Sequence, residues 1–408
     1  MRSRNPSLKV SIRARLTPPS PIRKLVPLAD IAKKQGVKIF YLNIGQPDIK
    51  SPPAFLKAVR EFRHPVVAYE NSQGNPLLRE ELVKYYKRNG ISLKSQEIIV
   101  TTGGSEAILF ALLAVCDPGD QCLIPEPCYA NYMGFASMAG VTLVPIPTDP
   151  KNGFHLPDIH VWEKARTEKT RALVVVNPNN PTGTVYDKRE LAMLDQFARA
   201  HKLFVISDET YREMVFDGAV HYSFLNFGSL PQHVILVDSL SKRYSLCGAR
   251  IGCLAAHNKS VLESVTKFCQ ARLAAPTIEQ EAAIAAVKSP KRDIENIRSE
   301  FMKRRDTVIS SLQNIPGVFV RKPEGAFYCV AKLPVNDAEA FSSWLLTDFR
   351  DRGQTLMLAP ANGFYLTQNG GLDEVRIAYV LKSEDLKRSL TLLKTALADY
   401  PKKSTASL

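Results

Sequence analysis

Lys242 sits in the stretch Ser239-Leu-Ser-Lys242-Arg-Tyr-Ser-Leu-Cys-Gly-Ala-Arg250, directly after the apolar run His233–Asp238. That run reads as a buried strand. An amine at a strand end, partly desolvated and flanked by hydroxyls, can have its pKa lowered and serve as a nucleophile and Schiff-base former. The bland alternative is a solvated loop with two exposed cations, and short motifs of this kind recur by chance. Three further stretches bear on the choice. Thr101-Thr-Gly103-Gly104-Ser105 joins a strand to a helix start, where outward amides and the helix dipole favour an anion; alone it is also an ordinary tight turn. Asn177-Pro-Asn-Asn180-Pro181-Thr-Gly183 ends a strand in a rigid turn whose Asn side chain can donate to a ligand oxygen, or is turn chemistry only. Ser207-Asp208-Glu-Thr-Tyr211 ends an apolar strand in a carboxylate that needs a cation or a ligand proton, or else caps a helix.

Taken together, the four stretches describe a site for one ligand. A phosphate rests on the amides of Gly104 and Ser105, with Ser239 and the forked guanidinium of Arg250 closing it. Asp208 faces a protonated ring nitrogen, so that the ring works as an electron sink. Asn180 and Tyr211 hold a phenolic oxygen, and Lys242 carries an imine.

The elements that must position these residues follow from periodicity. Between Glu97 and Asp238, short β-rich apolar runs alternate with helices: strands at Glu97–Thr101, Gln121–Ile124, Val141–Ile146, Arg171–Val176, Leu203–Ser207 and His233–Asp238. This pattern predicts an α/β domain with a mostly parallel sheet sandwiched by helices, and such sheets bind ligands at the carboxyl ends of their strands. Arg250–Ala256 reads as one more strand, possible in the antiparallel sense. After three helices, at Ser260–Leu273, Thr277–Lys288 and Arg292–Gln313, the character changes. Strands at Val318–Leu333 and Thr355–Leu358 with helices at Asp337–Arg352 and Ser383–Tyr400 predict a smaller α+β domain, joined by the strand near Tyr41. The expected division is an extended basic arm over 1–25, a large cofactor-binding domain over 48–295, and a small domain built from 26–47 and 296–408.

The chain has 408 residues, 45% of them hydrophobic, which suffices for two domains with sizeable cores. No apolar run approaches the roughly 18 residues of a membrane helix, and the basic N-terminus has no secretory apolar region. Of the net charge of +14, half comes from Arg2, Arg4, Lys9, Arg13, Arg15, Arg23 and Lys24, all before the first acid, Asp30. A basic arm can touch nucleic acid, but no nucleic-acid fold accompanies it, and the expectation is a solubilising or interface-wrapping tail. Seven cysteines with no Cys-x-x-Cys predict reduced, buried thiols in a cytoplasmic protein rather than disulfides or a metal site.

Eight ordered motifs carry a family resemblance: Asn43-Ile-Gly45-Gln-Pro-Asp48, Tyr69-x4-Gly74-x3-Leu78-Arg79, Gly103-Gly104-Ser105-Glu-Ala, Pro125-Glu-Pro-Cys-Tyr129, Asn177–Gly183, Asp208-Glu-Thr-Tyr211, Ser239–Arg250 and Arg376-Ile-Ala. In these the chain resembles fold-type I, class I pyridoxal-phosphate aminotransferases of the aspartate aminotransferase kind. The resemblance implies pyridoxal 5'-phosphate on Lys242, with Asp208 and Tyr129 as further catalytic residues. It implies cofactor contacts from Gly103, Gly104, Ser105, Asn180, Tyr211, Ser239, Ser241 and Arg250. Tyr129 matches the aromatic that stacks on the ring, and Tyr69 a tyrosine reaching the phosphate of a second subunit, hence a homodimer with shared sites. Arg376, Gly45 and Asn180 match substrate contacts, with Arg376 taking the α-carboxylate. The implied reaction moves an amino group between an L-amino acid, first of all aspartate, and a 2-oxo acid such as 2-oxoglutarate. Aromatic, methionine and diaminopimelate donors, and β-elimination by a lyase of the same fold, are the alternatives; a cofactor-binding regulator reaching DNA through the arm is the non-enzymatic one. Thr210 departs from the small residue usual before the motif tyrosine. No clear second arginine for a substrate side-chain carboxylate is found; Arg272 lies in the broad region without matching the position.

Overall fold

The computed structural model describes residues 8–228 and 231–401. Seven strands form the central sheet: β2 (Ile98–Thr101), β3 (Gln121–Glu126), β4 (Thr142–Pro147), β5 (Thr170–Val176), β6 (Phe204–Asp208), β7 (Val234–Ser239) and β8 (Gly252–Ala256). They follow β1 (Lys38–Tyr41) in the chain and lie in the order β2-β8-β7-β6-β5-β3-β4. β3, β4, β5, β6 and β7 pair parallel, and β8 runs antiparallel between β7 and β2.

Successive side chains of these strands go to opposite faces, and both faces are apolar. Leu173, Val175, Val205 and Leu236 pack on one side among Leu82, Tyr86, Leu191, Leu194 and Ala283. Ala172, Val174, Ile206, Ile235 and Val237 pack on the other with Ala107, Ala111, Tyr132 and Val265. Two buried faces explain why the strands read as continuous apolar runs. The covering helices start on local signals. Asn75 caps Pro76–Arg88 by accepting from the Leu77 and Leu78 amides, and Asp187 with Glu190 forms a capping box on Lys188–Ala200.

A second core gathers around β9 (Phe319–Val320), β10 (Tyr328–Lys332), β12 (Ala359–Pro360) and β13 (Glu374–Ala378), an antiparallel sheet in the order β12-β13-β10-β9. β11 (Gln354–Met357) pairs instead with β1, in parallel, which ties the residues before the large sheet to the C-terminal third. Within the single helix Lys291–Gln313, Ile294 packs into the large core and Ile297 into the small one. We propose on that basis that the division near residue 295 is real.

Three elements differ from the sequence expectation. The arm is not extended throughout: Ile12–Leu16 is a short helix capped by Ser11, and Arg2 and Arg4 lie outside the described residues. The stretch 318–333 is two strands rather than one, because Glu324 and Gly325 leave their own sheet and donate to the carbonyl of Gly183 in the large core's turn, while Ala326 donates to Met214. A helix at Ile159–Ala165, anchored by buried Trp162, has no strong sequence signal.

Leu236 is fully buried at the middle of β7. Leu236→Ala is expected to destabilise by about 2–5 kcal/mol in urea unfolding of the full chain; a loss below roughly 1 kcal/mol would show that the sheet relaxes around the cavity.

Candidate active site

A cavity of about 440 Å3 opens between the two cores, at the carboxyl ends of the parallel strands. Lys242 reaches it from a single helical turn, Leu240–Arg243, that continues β7. Two devices fix that turn. Ser239 caps it, its hydroxyl accepting from the Ser241 amide at 3.2 Å and donating to the Ser241 hydroxyl at 2.9 Å. On the opposite side Arg243 pairs with Asp238 at 2.6 Å, both fully buried, and Asp238 also accepts from the Tyr86 hydroxyl at 2.8 Å. Lys242 is thereby left half-buried, its Nζ donating to the Gly45 carbonyl at 2.8 Å.

Gly103 has φ +76°, a left-handed conformation that glycine adopts without strain, and a Cβ there would lie 2.3 Å from the Arg250 guanidinium. Arg250 lies across this turn, donating to the carbonyls of Cys247 at 3.0 Å and Thr102 at 3.4 Å. The helix Gly104–Val115 begins beneath it, with Gly104 and Ser105 on the cavity wall together with Ser239 and Ser241. Amides, a helix start and a guanidinium in one corner make an anion cradle.

Asp208 closes β6 in the floor. One carboxylate oxygen accepts from Tyr132 at 2.9 Å and the other from the Thr210 amide at 3.1 Å. Burial holds its pKa above the usual carboxylate value, against the lowering by those hydrogen bonds. Tyr129 lies nearby on the wall, its hydroxyl accepting from Asn131 at 2.7 Å and pushed up to about 12, chiefly by burial.

Arg376 comes from β13, in the other core. It donates to Asn180 Oδ1 at 3.1 Å and to the Asn43 carbonyl, and its guanidinium lies between the rings of Tyr328 and Phe364 at 4.5 and 4.8 Å. Its Nε has no partner among the described residues, and burial draws its pKa down from the ordinary arginine value. Tyr211 shares a 2.9 Å hydrogen bond with Tyr328, and burial raises its pKa well above the usual phenol value. Gly45 lies against the same Tyr328, where a Cβ would come within 1.6 Å of its hydroxyl.

Most residues expected from the sequence therefore share one wall. Two do not. Gly103 shapes the turn from behind Arg250, and Tyr69 is exposed, away from the cavity. Arg272 is also outside it, paired with Glu106 and donating to the Val100 carbonyl. Several residues on the wall or buried behind it carried no signal. Tyr132, three residues after Tyr129, shares its helical spacing but nothing in the sequence ties it to Asp208. Tyr328 and Arg23 come from distant segments. Cys247, expected to be buried, is half-exposed on the wall with its Sγ 4.0 Å from Lys242 Nζ.

The family model for aminotransferase class I and II matches residues 37–392. The chain belongs to the class I and II aminotransferases. It is 32% identical over 386 residues to a probable aspartate/prephenate aminotransferase of Aquifex aeolicus, a match covering 93% of this chain and 96% of that one. An alanine aminotransferase structure from Pyrococcus furiosus superposes with TM-score 0.88 at 30% identity, over 96% of this chain and all of the other. A single mutant of Thermus thermophilus aspartate aminotransferase gives TM-score 0.88 at 29% identity with the same coverage. The protein is thus an aminotransferase with the fold of these enzymes.

In this aminotransferase, Asp208 titrates upward in the folded state, so the stability linked to it is fully present below the ordinary carboxylate pKa and is lost as pH rises through the raised value. Asp208→Asn, melted without added ligand, is expected to unfold no lower than the parent at neutral pH, and in a separate activity assay its transamination is expected to fall on the order of a hundredfold or more. A lower melting temperature would show that the carboxylate stabilises the empty fold.

Proposed function

We propose that the cavity holds pyridoxal 5'-phosphate and moves an amino group between an L-amino acid, aspartate first, and a 2-oxo acid such as 2-oxoglutarate. The observation that carries this reading is that Lys242 and two buried, oppositely charged groups, Asp208 and Arg376, line one cavity without pairing to each other. The residues present fit the cofactor. The cradle at Gly103–Ser105, Ser239, Ser241 and Arg250 suits a phosphate, and Arg250 forms no ion pair with a described residue. Asp208 receives only neutral donors, Tyr132 and the Thr210 amide, one on each oxygen, and keeps lone pairs for a ring N–H. Asn180 and Tyr211 would hold the phenolic oxygen, and Tyr129 would cover a ring face.

When bound, pyridoxal phosphate supplies an aldehyde that takes up an amino group and a protonated ring that withdraws electrons from it. Arg376 binds the substrate α-carboxylate through its fork, oriented by Asn180 and Asn43. That grip would fix the α-carbon near the Lys242 amine, which would take the α-proton and deliver a proton to the carbon that the aldehyde supplies, on the far side of the amino nitrogen. Gly45, by accepting from Nζ, aims the amine. Asp208 keeps the ring nitrogen protonated, and Tyr132 keeps Asp208 in place.

Tyr69 belongs to this proposal as a phosphate contact across a two-fold interface, since its exposed ring would otherwise lie open to water. A cytoplasmic setting is supported by seven free thiols, six of them buried. Among the described residues no helix is long and apolar enough to cross a membrane.

Half-reactions read by the absorbance of the bound cofactor, with a panel of amino donors against 2-oxoglutarate, test the reading. Aspartate is expected to convert the cofactor and Lys242→Ala to abolish turnover. Normal turnover in Lys242→Ala would sink the mechanism, and pyruvate with ammonia formed without a 2-oxo acid acceptor would make the enzyme a lyase. Gly45→Ala, which pushes on Tyr328, is expected to lower kcat/KM at least about tenfold with the cofactor still bound.

A further inference from the structure

Glu126 ends β3, three residues before Tyr129, and its side chain is buried. Among the described residues it pairs with no cation. Its carboxylate instead accepts three hydrogen bonds from the link between β12 and β13: the Leu366 amide at 2.8 Å, the Thr367 amide at 3.0 Å and the Thr367 hydroxyl. Two residues on, the Cys128 amide donates to the Phe364 carbonyl at 2.8 Å, and Phe364 shares a small apolar cluster with Ala130. Four hydrogen bonds therefore fasten the turn 364–367 onto the stretch 126–128. A buried carboxylate is costly unless it is hydrogen-bonded, and this one directs its bonds to a single turn.

That turn carries Phe364, whose ring lies 4.8 Å from the Arg376 guanidinium, with the Tyr328 ring at 4.5 Å on the other side. The two rings are held differently. Tyr328 belongs to β10, which pairs with β13, so the sheet that carries Arg376 also carries Tyr328. Phe364 ends the short helical turn Ala361–Phe364, outside the sheet, and the bonds to 126–128 fix it there. Aromatic faces on both sides confine the guanidinium to one plane, and that plane decides how its N–H fork meets a carboxylate.

We propose that Glu126 is a positioning residue that, through Phe364, sets the plane of the Arg376 guanidinium for the substrate α-carboxylate. This rests on the reading of Arg376 as the α-carboxylate group. Glu126 is not on the cavity wall, so it acts through the turn alone. The grip is made before and during proton removal, so loosening it raises KM and leaves kcat nearly unchanged.

The test compares holoenzymes of the parent, Glu126→Gln, Glu126→Ala and Phe364→Leu, each first shown to carry cofactor by its absorbance. Glu126→Ala and Phe364→Leu are each expected to weaken propionate binding roughly tenfold in calorimetric titration, and to raise the KM of the panel's most active amino donor by the same factor, with kcat within about threefold. Glu126→Gln, which keeps an oxygen for the two amides, is expected to stay close to the parent. The double variant Glu126→Ala with Phe364→Leu is expected to bind no more weakly than the weaker single one, since both act on one contact. Losses that add across the two sites, or a fall in kcat with KM and propionate affinity unchanged, overturn the proposal and leave Glu126 a brace of the fold. Parent-like binding by Phe364→Leu overturns it as well; that variant keeps the Glu126 bonds and decides the case even where Glu126→Ala does not fold. Arg376→Lys separates the two readings. If it binds propionate as the parent does, the reading of Arg376 fails and the proposal with it; if it loses propionate while Glu126→Ala does not, only the proposal fails.

Discussion

Asp208 and Arg376 are buried in the same cavity, and neither forms an ion pair with a described residue. Asp208 is met by a phenol and an amide; Arg376 by an amide oxygen, a backbone carbonyl and two aromatic faces. Neutral partners reduce the desolvation cost of each group without removing it. Direct pairing would be the stabilising solution, and the fold prevents it by delivering the two groups from different cores. The site is thus held ready for a ligand that brings a cation to one and an anion to the other. That is preorganisation, with the cost carried by the two packed cores.

The architecture serves this constraint. Parallel strands β5, β6 and β7 end side by side, so Asn177, Asp208 and Ser239 arrive at one edge with their turns. The antiparallel β8 returns the chain beside β7 and brings Arg250 back over Gly103. The smaller sheet supplies Arg376 and Tyr328 from adjacent strands, paired in register through Val330 and Ala378 respectively. Beneath Lys242, the Asp238–Arg243 pair clamps the helical turn from the side away from the cavity. A second buried charge system, Glu209 with His221, Arg212, Ser207 and Ser223, braces the turn that follows β6.

Much of this was legible in the sequence because the information is local. A lysine after an apolar run, glycines before a helix, Asn-Pro pairs and a strand-ending Asp are each written within a few residues. The alternation of strands and helices likewise follows from patterning, since both faces of the sheet are buried. What was not legible is non-local. Tyr132 meets Asp208 across 76 residues, Gly45 meets Tyr328 across 283, and Arg376 meets Asn43 across 333. No local rule announces such pairs. The break at 321–327 belongs to the same class, since its backbone partners lie in the turn at Gly183 and at Met214. So do residues 17–25, whose composition reads as part of an extended arm until their contacts with Ser137, Asn43 and Glu339 are seen. Tyr69 would depend on a second chain, further still from local reading.

The central claim is that Asp208 is placed to hold a cation on the cavity floor. The most direct measurement is the nitrogen-15 NMR shift of the ring nitrogen of bound labelled pyridoxal phosphate in the parent holoenzyme at neutral pH. A shift in the protonated pyridinium range, persisting well above the pKa of the free ring, is the result the geometry requires. A neutral-pyridine shift at the same pH would contradict it and leave Asp208 a structural carboxylate.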